Sequence, residues 1–152
     1  LAGAYLAQGD VANAKAAMNS VKNKNVAAAK NNQGLVALED GNVDNASQLF
    51  SDAGSLAAAK QNAGIVAIEK GLYDNAASSL SGTGTFNEAL ALVLTDKLDA
   101  ADRILANNNS GKASYLRAVI AARKGNASNV STYLRDAYTK DASLRARAVN
   151  DI

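Results

Sequence analysis

The sequence predicts an all-α protein, a solenoid of about five helical hairpins followed by one C-terminal helix. The main observation is an internal repeat, in which residues 57–80 (AAAKQNAGIVAIEKGLYDNAASSL) restate residues 27–50 (AAAKNNQGLVALEDGNVDNASQLF). Repeats of roughly 20–50 residues are typical of units that stack and bury a shared core. The second observation is the composition, which is 48% apolar, rich in alanine and without proline. Such a composition favours uninterrupted helices.

Each repeat unit is predicted to contain two helices joined at a glycine. Residues 27–38 are densely apolar, and Gly41 follows them where a helix end enters the left-handed region without penalty. A second helix is indicated by apolar residues on one face of the helical period: Val43, Ala46, Leu49, Phe50 and Ala53. Gly34, inside the first helix, is predicted to let a neighbouring helix approach closely. A large side chain there would overpack the pair by about 1–3 kcal/mol.

These residues resemble the tetratricopeptide repeat (TPR) family. The second unit matches the family signature at Gly34, Gly41, Ala46, Phe50 and Ala53, and the third matches it at Gly64, Gly71, Ala76 and Leu80. The sequence departs from the signature at Ala37 and Ala67, which replace a tyrosine, and no tryptophan or proline occurs. The resemblance implies a right-handed α-solenoid whose first helices line a concave groove.

The same landmarks divide the whole chain. The predicted units are 1–25, 26–55, 56–84, 85–110 and 111–141, with a capping helix at 142–152, all within one domain, 1–152. The fourth unit is degraded, because Asp96 stands where the glycine is expected, and the fifth returns with Gly125. The first residues already lie inside a motif and no initiator methionine precedes them. We therefore expect the chain to be a fragment of a longer protein.

The composition leaves little for catalysis. Histidine and cysteine are absent, which removes the commonest general base, the commonest metal ligand and the thiol nucleophile. The possible carboxylate pairs, Asp40/Asp44 and Glu69/Asp74, recur with the repeat at the turns between helices, so we interpret them as helix N-capping residues. The segment SGTGT at 81–85 lacks the Gly-Lys-Ser/Thr of a phosphate loop and predicts a turn. We expect no enzyme activity, cofactor, metal or small-molecule substrate.

The formal net charge of +2 is unevenly distributed. Residues 101–152 hold nine Lys/Arg and four Asp/Glu. This basic end allows nucleic-acid binding as an alternative. The support is weak, because only Tyr115, Tyr133 and Tyr138 could stack on bases and no known motif accompanies them. The other interpretation is a solvated helix surface, with cations near helix C-termini.

The candidate binding residues are asparagines. Asn32, Asn62 and Asn87 each fall two residues before the place held by Gly34, Gly64 and Ala89. The resemblance to TPR proteins implies that this place faces the groove, where an amide can pair with a peptide's C=O and N–H. By the same resemblance the neighbouring groove residues are Asn31, Leu35, Gln61, Ile65, Lys112, Tyr115 and Arg123. The alternative interpretation is exposed polar residues in an Asn-rich chain.

The favoured function is therefore a non-catalytic scaffold that binds a peptide or partner segment in its groove. One alternative is a structural or oligomerisation spacer within a larger cell-envelope protein, and a weaker one is a nucleic-acid-binding solenoid. No stretch approaches the roughly 18 apolar residues of a membrane span, so we expect no membrane insertion in this segment. The short, Ala/Asn/Gly-rich units are similar in style to bacterial envelope TPR proteins. This likeness favours a periplasmic or outer-membrane-associated location, while a cytoplasmic one stays open.

Overall fold

The computed structural model describes residues 1–146, and every regular element in that part is helical. The helices are α1 (Ala2–Ala7), α2 (Val11–Asn19), α3 (Ala27–Glu39), α4 (Val43–Asp52), α5 (Ala57–Glu69), α6 (Tyr73–Leu80), α7 (Phe86–Leu94), α8 (Leu98–Leu105), α9 (Gly111–Arg123) and α10 (Ala127–Lys140). Of the predicted capping helix, residues 142 and 143 form a turn, residues 144–146 are helical, and residues 147–152 lie outside the described residues. The all-α prediction is confirmed.

Within residues 1–146 the helices pack as five helical hairpins. Each odd-numbered helix lies mainly against the even-numbered helix that follows it. We call α1, α3, α5, α7 and α9 the first helices and the others the second helices. Each hairpin falls within its predicted repeat unit. The chain forms two compact units, Leu1–Leu80 with three hairpins and Ser81–Ile152 with two. In both units consecutive first helices also contact each other, as α3 contacts α5 and α7 contacts α9.

The turn inside every hairpin has the same backbone conformation. Its central residue has a positive φ in all five: 72° at Gly9, 73° at Gly41, 72° at Gly71, 59° at Asp96 and 71° at Gly125. In the second hairpin the N–H of Gly41 donates to the carbonyl of Leu38 and the N–H of Asn42 donates to that of Ala37. This is the Schellman arrangement, which satisfies the last carbonyls of the first helix. Asp96 therefore occupies the glycine place predicted from the sequence and adopts its conformation.

Because Asp96 holds a left-handed backbone, replacing it with glycine should stabilise the fourth hairpin. An L-residue in this region costs roughly 1–2 kcal/mol, aspartate somewhat less, and the extra chain entropy of glycine offsets part of the gain. We expect Asp96→Gly to raise the unfolding free energy by up to about 1 kcal/mol in urea titrations followed by circular dichroism. The control is Thr95→Gly, at an ordinary φ of −104° in the same turn, which should lower it. Equal losses in both variants would contradict the prediction.

In the second and third hairpins, a glycine of the first helix packs against a large side chain of the second helix. A Cβ added to Gly34 would lie 2.5 Å from Cε1 of Phe50, and Gly64 faces Leu80 in the same way. Phe50 and Leu80 are among the most buried large side chains of the described residues. The core continues between hairpins: Ala37, Ala46 and Phe50 share a cluster with Val66 of α5. It is therefore a strip shared by neighbours, as a solenoid requires.

Candidate functional site

Three asparagine side chains join the first helices of the unit Leu1–Leu80. We call Asn31, Asn32 and Asn62 the amide cluster. The Nδ2 of Asn62 on α5 donates to Oδ1 of Asn31 on α3 over 2.9 Å, and Nδ2 of Asn31 lies 3.5 Å from Oδ1 of Asn32. Asn32 Oδ1 in turn lies beside Gly3 of α1, 3.9 Å from where a Cβ would stand. The cluster thus joins α3 to α5 and lies near the Gly3 side of α1.

The amide cluster is only partly withdrawn from solvent. Asn31 is 6% exposed, whereas Asn32 and Asn62 are half-buried. Leu35 and Gln61, predicted to lie nearby, are also half-buried, and Ile65 is 37% exposed. The face therefore combines amide groups with apolar side chains that water reaches.

The unit Ser81–Ile152 has an apolar cleft of about 500 Å³, which we call the α7/α9 cleft. Helix α7 contributes four apolar side chains to it, and α9 contributes apolar side chains together with a cation near each of its ends. The lining residues are Phe86, Leu90, Val93 and Leu94, then Lys112, Tyr115, Leu116, Val119 and Arg123, and finally Leu144. Both cations are exposed, and Nη1 of Arg123 donates to the carbonyl of Val93 over 2.8 Å.

The α7/α9 cleft collects three residues that the sequence had singled out, Lys112, Tyr115 and Arg123. Asn87 is half-buried in the first turn of α7 and is not part of the lining. Sequence reasoning missed the wall contributed by α7. A signal was present, because Phe86, Leu90, Val93 and Leu94 follow the i, i+4, i+7, i+8 spacing of one helix face.

Three cations of the basic end, Arg117, Lys124 and Lys140, form ion pairs within residues 1–146. Arg117 Nε pairs with Asp102 over 2.7 Å, while its guanidinium stacks on the Tyr133 ring, 4.4 Å from the centroid. Lys124 pairs with Asp99 and holds the pKa of that carboxyl below its ordinary value. These pairs favour the solvated-surface interpretation over a nucleic-acid patch, because a paired cation is less available to a phosphate.

A polar network around the buried Ser114 closes the last hairpin. Ser114, which is 5% exposed, donates from Oγ to Asp136 over 2.5 Å, and Lys140 Nζ donates to the same carboxylate over 2.6 Å. The hydrogen bonds from Lys140 and Ser114 lower the pKa of Asp136. A serine near a lysine can suggest a nucleophile and its base. Here both Ser114 and Lys140 donate to Asp136, so the network is best explained as a brace between α9 and α10.

The carboxylates interpreted as N-caps have other positions, and that prediction is wrong in detail. The cap of α4 is Asn42, whose Oδ1 accepts the N–H of Asn45, while Asp40 ends α3 and Glu69 is the last residue of α5. Asp44 and Asp74 do lie in first helical turns, where a negative charge complements the helix dipole.

Two of these carboxylates join neighbouring hairpins through ion pairs. Lys15 of α2 pairs with Asp40 over 2.5 Å, and Asp44 of α4 pairs with Lys70 at the end of α5 over 2.6 Å. The hydrogen bond from Lys70 lowers the pKa of Asp44. Such exposed pairs help to align neighbouring hairpins, but they add little to the free energy of folding.

The segment 81–85 forms the predicted turn, and a carboxylate from the following helix organises it. Glu88 is 8% exposed and accepts the N–H of Gly82 at 2.8 Å and the N–H of Gly84 at 2.7 Å. Thr85 caps α7 by accepting the N–H of Glu88. Among the described residues, no cluster of three or more His, Cys, Asp or Glu side chains could hold a metal. No helix in residues 1–146 is both long and apolar enough to cross a membrane.

Comparison with known proteins gives structural matches only. Neither a protein-family profile nor a curated protein sequence matches the chain. Among solved structures, YrrB, described as a TPR protein with an unusual peptide-binding site, superposes with a TM-score of 0.77 at 18% identity, covering 97% of this chain and 88% of YrrB. The chain has the TPR fold. MamA AMB-1 has a TM-score of 0.74 at 16% identity over 91% of this chain and 93% of its own.

A second MamA structure, MamA MSR-1, agrees with the first. Its TM-score is 0.74 at 16% identity, over 92% of each chain. The three solved structures thus agree on the fold. The low identities mean that side chains of the TPR matches cannot be transferred position by position, so the binding chemistry has to be argued from this chain's own residues.

Proposed function

We propose that the chain is a protein-interaction scaffold whose first helices hold a segment of a partner polypeptide. The observation that carries this proposal is the amide cluster. Polar amides on adjacent helices lie on a face that also exposes Ile65. A surface of this kind can accept an extended chain, because it offers hydrogen bonds to the backbone and apolar contact to side chains.

The bonds within the amide cluster leave several groups for a partner. A primary amide has one acceptor oxygen and two donor N–H groups. The internal bonds use one N–H of Asn62, one N–H of Asn31 and the oxygens of Asn31 and Asn32. Oδ1 and the second N–H of Asn62, the second N–H of Asn31 and both N–H groups of Asn32 remain. They can pair with a peptide N–H and C=O, and such pairing selects for extended backbone more than for sequence.

Two further considerations support the proposal. YrrB, which shares the fold, is described as having a peptide-binding site. Asn87 occupies the corresponding place in α7, so we propose that it offers the same kind of contact in the unit Ser81–Ile152. Leu35 and Gln61 would border the segment bound by the amide cluster.

The test is selection from a random peptide library displayed on phage, followed by titration of the enriched peptides. We expect Asn62→Ala to weaken binding about tenfold, because it removes a partner bond and the brace to Asn31. Asn32→Ala should weaken it about threefold to tenfold through the lost donors. The control is Asn45→Ala, an exposed asparagine on α4, with unchanged affinity. Equal affinity of all three variants would contradict the role of the amide cluster.

The spacer alternative makes a different prediction. A chain that enriches no peptide but self-associates in light scattering would favour it over the scaffold. The nucleic-acid alternative predicts a salt-sensitive shift with oligonucleotides, and the pairing of Arg117, Lys124 and Lys140 with carboxylates speaks against it.

A further inference from the structure

We propose that the α7/α9 cleft binds an acidic–apolar segment of a partner protein, with apolar side chains in the cleft and a carboxylate at each end. This rests on the proposed scaffold function and deepens it, because it specifies the chemistry of the partner segment at a second place on the first helices. It is also independent of the amide cluster, so either proposal can fail alone.

The middle of the cleft calls for apolar groups. Its walls are side chains of Phe86, Leu90 and Leu94 on one helix and Leu116 and Val119 on the other. Several of them are only partly buried, and covering such surface with another apolar side chain is favourable. A volume of about 500 Å³ lies within the usual range of ligand pockets, about 300–1,000 Å³. A few large side chains of a peptide would fill it.

The ends of the cleft call for negative charge. Lys112 and Arg123 are the charged lining residues, and no carboxylate lines the cleft among the described residues. Elsewhere in this unit Arg117, Lys124 and Lys140 are each paired with an aspartate. Lys112 and Arg123 have no ion pair within residues 1–146, so their charges are left for a partner.

The surroundings of the two cations agree with this assignment. The hydrogen bonds from Oγ and N–H of Ser143 lower the pKa of the Asp141 carboxyl, and the nearby Lys112 adds a smaller contribution. Arg123 uses Nη1 to bond the carbonyl of Val93, which holds the guanidinium at the end of α7. Its other N–H groups can still meet a carboxylate in the bidentate manner.

The distance between Lys112 and Arg123 predicts the distance between the two carboxylates of the partner segment. Lys112 and Arg123 lie eleven positions apart on α9, which is about 16 Å at 1.5 Å per residue. An extended peptide covers that distance in about five residues at 3.3 Å each. The partner segment should therefore carry two acidic residues about five positions apart, with leucine or phenylalanine between them.

The proposal is tested with a fluorescent, end-blocked peptide that has glutamate at both ends and Ala-Leu-Phe-Leu between them. We expect saturable binding that weakens as salt is raised. Lys112→Glu and Arg123→Glu should each weaken it at least tenfold. The control is Arg135→Glu, an exposed cation of α10 outside the cleft, which should leave affinity unchanged. Circular dichroism verifies that each variant is folded.

A charge swap makes the experiment decisive. The same peptide with lysine at both ends should bind the wild-type chain poorly and should recover affinity for the double variant Lys112→Glu/Arg123→Glu. Absence of binding by the acidic peptide would overturn the proposal. So would equal binding of both peptides, or light scattering that shows a dimer closed through this cleft, because the occupant would then be a second copy of the chain.

Discussion

Gly34→Ala is expected to lower the unfolding free energy of the chain by about 1–3 kcal/mol, although alanine is the better helix former. The added Cβ would lie 2.5 Å from Cε1 of Phe50 and 2.8 Å from Cδ1. The Phe50 ring is 1% exposed and closely packed, so it cannot move aside cheaply. Overpacking outweighs the gain of about 1 kcal/mol in helix propensity. Urea titration followed by circular dichroism measures the difference.

The chain contains its own control. Gly3 also lies within a helix, but a Cβ there would have only Asn32 Oδ1 nearby, at 3.9 Å. Gly3→Ala should therefore be neutral or stabilising by up to about 1 kcal/mol. Equal stability of Gly34→Ala and Gly3→Ala would contradict the packing argument.

The features that could be predicted from the sequence are those encoded locally. A positive φ selects glycine, so Gly41 and Gly71 marked the hairpin turns directly. A buried closest approach selects a small residue, so Gly34 identified the helix crossing. The fourth turn was recognisable from Asp96 only through the repeat, and its backbone tolerates aspartate because this side chain is one of the few that enter the left-handed region.

The features that could not be predicted depend on which residues the fold brings together. The ion pair of Asp44 with Lys70 joins residues 26 positions apart, and the bond of Ser114 to Asp136 joins residues 22 apart. Sequence position alone suggested helix capping for Asp44, because the partner becomes visible only when the hairpins stack. The amide cluster could be predicted only in part. Its asparagines could be selected from the repeat, but the bond between Asn31 and Asn62 could not.

The α7/α9 cleft shows the same limit for surfaces. Lys112 and Arg123 were selected through a resemblance, whereas their meaning comes from the apolar wall of α7 opposite them. In the sequence, that wall is visible as the apolar face of a helix. Its assignment to a cleft needed the position of α9, because an apolar face is equally compatible with a buried core.

Glu88→Ala is expected to lower the unfolding free energy by about 2–3 kcal/mol, a large effect for one polar side chain. The carboxylate accepts two backbone N–H groups, from Gly82 and Gly84, and lies 3.3 Å from Oγ1 of Thr83. Hydrogen bonds to a charged group are worth about 1.5–3 kcal/mol, and water can replace part of them at the exposed glycines. The carboxylate also lies in the first turn of α7, where the helix dipole favours it.

Two variants separate the hydrogen bonds from the general effect of truncation. Glu88→Gln keeps one acceptor oxygen and should lose about half as much stability as Glu88→Ala. Glu69→Ala, at an exposed helix end, should change it by less than about 0.5 kcal/mol. Amide hydrogen exchange adds a local measurement, since the N–H groups of Gly82 and Gly84 should exchange faster in Glu88→Ala. If Glu88→Ala and Glu69→Ala were equally stable, the turn would hold itself without the carboxylate, and its glycines alone would account for the start of α7.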